Sequence, residues 1–156
     1  MSESSYAAPL VIVLVALGGC VAAGPPVVAR CTGVSATGRT GAPALIGEEY
    51  GTQATPVPIN SVQFSDWNTA RSVSVQHLFA KRTSGNTVEV TARFISCGDA
   101  PLAIRVRTSF MDSNQAPTES ASAWQTVYLT PHLTASYSET SSSVHAAAYL
   151  LEVTGP

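Results

Sequence analysis

The chain has 156 residues, room for one domain of ordinary size with appendages but not for two full domains. Eight Lys and Arg against ten Asp and Glu leave a formal charge of −2, which argues against a basic nucleic-acid binder. Hydrophobic residues reach 45% and charged ones only 12%, so the chain is neither globally disordered nor, with a single long apolar run, a polytopic membrane protein.

The apolar run comes first. No charge occurs from Tyr6 to Ala29, and the densest part is Leu10 to Leu17, followed by Gly18-Gly19-Cys20. Its length suits a cleaved export signal, and the small residues before the break suit a peptidase cleft. An uncleaved anchor helix and a buried core helix are the other readings. Gly18, Gly19, Gly24 and Pro25-Pro26 interrupt a helix before about 20 residues are complete, which disfavours a span. Leu17-Gly18-Gly19-Cys20 resembles the lipobox of bacterial lipoproteins. The resemblance implies a signal peptide over 1–19, diacylation of the Cys20 sulfur, and N-acylation of Cys20 after cleavage. Two or three acyl chains, at about 0.8 kcal/mol per buried CH₂, anchor a protein permanently. Val21 follows Cys20, with no Asp to retain the protein at an inner membrane, so the resemblance implies outer-membrane residence on the periplasmic side.

Residues 20–58 are rich in Gly and Pro and carry no sustained period, so they read as a tether, with Ala44-Leu45-Ile46 a candidate for docking back on the domain. Glu48-Glu49 reads as a solvated pair. With Cys20 claimed by a lipid, Cys31 and Cys97 remain as a possible disulfide in an oxidising compartment. Free thiols or a bridge to another chain are the alternatives.

From residue 59 onward the chain alternates. Ile59 to Phe64 is a first strand, and Asp66-Trp67-Asn68 caps a turn or short helix. Ser72 to Ala80 puts Val73, Val75, His77 and Phe79 on one face. Asn86 to Ser96 puts Val88, Val90, Ala92 and Phe94 inward. Pro101 to Met111 puts Leu102, Ile104, Val106, Thr108 and Phe110 inward, with Arg105 and Arg107 outward. Trp124 to Thr130, Leu133 to Thr140 and Ala146 to Val153 follow. Seven short strands predict an all-β fold over 59–156, an antiparallel immunoglobulin-like β-sandwich, with a small barrel as alternative.

Four pieces carry a family resemblance: Asn86-Thr87-Val88-Glu89-Val90, the run Pro101 to Asp112, Ser122-Ala123-Trp124-Gln125, and Ala146-Ala147-Ala148-Tyr149-Leu150. Their order over about residues 72–153, with the lipobox, resembles the YcfL-like bacterial lipoproteins. That family has no assigned biochemical activity and brings no catalytic residues with it.

Chemistry-bearing residues are sparse. His77, His132 and His145 show no metal-ligand spacing, and no CxxC occurs. His77 reads as a core histidine, while His132 and His145 flank turns. A triad built on paper from 19 Ser and Asp66, Asp99 or Asp112 means little without a nucleophile elbow. Asp112-Ser113-Asn114 reads as a turn cap rather than a Ca²⁺ loop. No cofactor and no metal are expected. For binding, Trp67 is the open aromatic and Trp124 the core one. Arg93, Arg105 and Arg107 would share one sheet face if their two strands pair.

The expectation is a non-enzymatic, lipid-anchored envelope protein whose sandwich binds another envelope component. A structural subunit of a secretion or virion assembly, and a glycan or peptidoglycan binding module, are the alternatives.

Overall fold

A computed structural model describes residues 41–47 and 49–156. The expected signal, the lipidation site Cys20, Cys31 and Glu48 all lie outside the described residues.

Nine strands form two packed sheets, which confirms the sandwich. They are β1 (Ala44–Leu45), β2 (Thr55–Pro56), β3 (Val62–Phe64), β4 (Val73–Arg82), β5 (Val88–Ser96), β6 (Leu102–Met111), β7 (Gln125–Leu129), β8 (Thr134–Thr140) and β9 (Ala148–Thr154). The first sheet runs β1-β9-β6-β7, with β3 sharing the β1 edge of β9; the second runs β2-β4-β5-β8. All pairs are antiparallel except β3 with β9.

The core fills the space between the sheets. β5 contributes Val88, Val90, Ala92 and Phe94, and β6 contributes Ile104, Val106, Thr108 and Phe110, all buried as their alternation predicts. Tyr149 and Tyr137 reach in from β9 and β8. Buried hydroxyls need partners. Tyr137 Oη lies 2.9 Å from Thr108 Oγ1, and Tyr149 Oη lies 3.1 Å from Ser61 Oγ. Burial pushes both tyrosine hydroxyls above their ordinary pKa, with bonds to Thr108, Ser122 and Ser61 opposing the rise.

β4 departs from strict alternation. Val75 faces Phe94 and His77 faces Arg93, so Gln76 is an extra residue, a β-bulge. The bulge reverses the parity of the strand. Val73 and Val75 point inward before it, and Leu78 and Ala80 point inward after it. His77 is therefore exposed, not a core histidine, and stacks on the ring of Phe79 at 5.7 Å on the outer side.

The fold also starts before residue 59. β1 pairs with β9, β2 pairs with β4, and Ile46 and Val57 are buried in the core. The expected docking near Ala44 is present, and the stretch from 41 to 58 belongs to the sandwich rather than to a tether. Arg82 secures it. Its guanidinium donates to the carbonyls of Ile46 (3.0 Å), Ala146 (3.3 Å), Gly47 (3.4 Å) and Asn86 (3.2 Å). Ile59–Ser61 forms a 3₁₀ turn, leaving only Val62–Phe64 as strand.

Candidate functional site

The outer face of the first sheet carries an aromatic and cationic cluster. In β6 the inward run fixes Ala103, Arg105 and Arg107 outward. Arg105 faces Thr126 on β7 and Thr154 on β9, and Arg107 faces Glu152 on β9. Carrying the β7 register two residues beyond Thr126 brings Trp124 level with Arg107. Arg107 ion-pairs with Glu152 through its Nε, and its guanidinium lies 4.5 Å from the centre of the Trp124 ring. The Arg105 guanidinium lies 5.9 Å from the same ring, and its Nε donates to the Gly155 carbonyl at 3.3 Å. Such cation–π contacts are worth about 0.5–1 kcal/mol each at exposed sites. Trp124 is 39% exposed, so it is not the core residue its strand position suggested. Tyr128, farther along the same outward row, is 78% exposed.

Asp66, the neighbour of Trp67, is linked to this cluster by a short relay through Gly155 to Arg105. Trp67 opens the helix α1 (Trp67–Ser72) and is 54% exposed. Asp66 caps that helix, as the sequence indicates, accepting from Thr69 N at 2.7 Å; its other oxygen accepts from Gly155 N at 3.0 Å. Gly155 in turn accepts from Arg105. Burial tends to raise the Asp66 pKa, but the backbone donors of Thr69 and Gly155 outweigh it and hold the carboxyl below its ordinary value. A shallow cleft beside the helix is lined by Asn68, Ser72, Leu102 and Thr154.

Arg93 is not part of this face. β5 and β6 do not pair; they belong to opposite sheets, because the Cys97–Pro101 segment crosses the sandwich instead of making a hairpin. Arg93 points outward from the second sheet, between His77 and Ser136. The expected three-arginine surface is thus two arginines plus a tryptophan on one side and one arginine on the other.

Cys97 is disulfide-bonded, with its partner outside the described residues. His132 lies 3.1 Å from Asp99, both on the surface. Asp112 caps its turn by accepting from Asn114 N (2.8 Å) and Ala116 N (2.9 Å). Among the described residues no three metal-ligating side chains cluster, and no helix there is long and apolar enough to cross a membrane.

Neither a family model nor a curated protein matches the sequence. Two solved structures resemble the fold. Campylobacter jejuni Cj0090 superposes with a TM-score of 0.52 at 12% identity, over 62% of this chain and 98% of its own. A DUF1425 family member from Shewanella sp. PV-4 gives 0.46 at 18% identity, over 70% of this chain and 92% of its own. The likeness to Cj0090 is one of fold: the chain is a β-sandwich of that general shape.

Proposed function

We propose that the protein is a non-enzymatic lipoprotein of the cell envelope, of YcfL-like kind, that holds another envelope component on the outer face of its first sheet. The lipobox Leu17-Gly18-Gly19-Cys20 supports the anchor, and the absence of Asp after Cys20 supports the outer membrane. The observation that carries the binding role is the Trp124–Arg107–Arg105 stack with Tyr128 beside it. Exposed aromatics and Arg are the residues that supply most energy at interfaces, and here they are held in place by an ion pair and a backbone carbonyl. On this reading acylation takes Cys20, which leaves Cys31 as the candidate disulfide partner of Cys97.

Two measurements test the reading. Cys20→Ala should abolish palmitate labelling and release the protein from membranes. Trp124→Ala with Arg105→Ala should lose partners that co-purify with the wild-type protein while the domain still melts cooperatively, its stability lower by about 1–2 kcal/mol from the lost cation–π contacts. Unlipidated wild-type protein with Met1 intact would overturn the anchor. Partner recovery unaffected by the double variant would overturn the surface.

A further inference from the structure

The outer face of the second sheet holds a spot that its own strands do not account for. Phe94 points into the core, so Ile95 points out. Yet Ile95 is 0% exposed and stands outside the cluster that fills the space between the sheets. Opposite it on that face are Ser74 of β4 and Thr134 of β8, both too small to cover an isoleucine. Arg93, two residues back along the strand, is exposed. Ser74 is buried as well, and its Oγ has no hydrogen-bond partner. Buried hydroxyls are normally satisfied, so this one calls for a peptide group laid against it.

Cys97 follows Ile95 by two residues and is disulfide-bonded to a cysteine outside the described residues. The remaining cysteines are Cys20 and Cys31. The chain enters the described part at Gly41, where Ala42 N donates to the Asn60 carbonyl (3.0 Å) beside the turn that leads into β3. Gly41 lies ten residues on from Cys31. Ten residues reach at most about 33–36 Å, enough to pass from there across two sheets about 10 Å apart to the outer side of the second.

We infer that the stretch around Cys31, with Val27, Val28 and Val34, docks over Ile95 and Ser74 on the outer face of the second sheet, held there by a Cys31–Cys97 disulfide. Its valines cover the isoleucine, and its backbone meets the Ser74 hydroxyl. The choice of Cys31 over Cys20 rests on the proposed acylation of Cys20; the docking stands on the buried spot. With both in place, only eleven residues separate the lipid from the bridge. Such a leash spans at most about 36–40 Å, so the Cys97 end of the sandwich is the one held toward the membrane.

The test uses the full chain purified from membranes in detergent. Digestion without reductant, read by mass spectrometry, should yield a peptide linking Cys31 to Cys97. Limited trypsin should cut the intact protein slowly after Arg30. Ile95→Thr keeps a β-branched residue in the strand but removes its apolar cover. That variant should be cut after Arg30 faster by about tenfold or more, the scale set by uncovering an isoleucine, with the bridge intact and β4 to β9 uncut. Val28→Ser with Val34→Ser changes nothing within the sandwich and should speed the same cut. Equal cutting of the wild type and both variants, with Cys31 bonded to Cys97, would overturn the docking and leave the anchor standing. A Cys20–Cys97 peptide would overturn both. Unlipidated protein that is still cut slowly at Arg30, and faster in both variants, would overturn the anchor and uphold the docking.

Discussion

The bulge at Gln76 makes a sharp demand on stability. Unbroken alternation through β4 would bury His77 and Phe79 and leave Leu78 in water; the bulged strand does the reverse. Leu78 is 2% exposed within the core. Leu78→Ala should therefore cost about 2–5 kcal/mol, the range for truncating a packed leucine, including the cavity left behind. For a domain of this size each kcal/mol moves the melting midpoint by about 4 °C, so a fall on the order of 10–20 °C is expected. His77→Ala removes an exposed ring and its stack on Phe79, and should stay within about 0.5 kcal/mol. Urea unfolding followed by tryptophan fluorescence reads both, with the slope checked for constancy. A costly His77→Ala beside a neutral Leu78→Ala would refute the bulge and restore the unbroken register.

Three more outcomes follow from the packing. Arg82→Lys should destabilise the domain by about 1–3 kcal/mol, because an ammonium cannot serve the spread of carbonyls at Ile46, Gly47, Asn86 and Ala146, and the acceptors at the buried residues Ile46 and Ala146 are costly to leave unpaired; thermal melts measure it. Asp66→Ala should cost about 1 kcal/mol at neutral pH, the usual worth of an N-cap. Since the folded carboxyl has a lowered pKa, that advantage should hold above the ordinary Asp value of about 3.9 and vanish as pH falls through the folded value, seen as convergence of wild-type and variant stabilities in acid. A chain beginning at Pro58 should melt below one beginning at Gly41, because it lacks β1, β2, Ile46 and Val57; equal midpoints would return 41–58 to the status of a tether.

What could be read from the sequence follows from how each element is stabilised. β5 and β6 are long, regular and buried on one side, so polarity alternates with the backbone and the core face is visible in the residues. β4 misleads because both of its parities are apolar: Val75, His77 and Phe79 form an unbroken row, and nothing in the composition marks Gln76 as extra. β1 and β2 are two residues each, too short for any period, and they are held by pairing to distant strands and by Arg82. The Cys97–Pro101 segment has the length of a hairpin loop, and its crossing to the other sheet is settled by tertiary packing. That crossing is why Arg93 parts from Arg105 and Arg107. Trp124 was within reach: Val127 and Leu129 point inward, so parity alone sends Trp124, Thr126 and Tyr128 to the outer face.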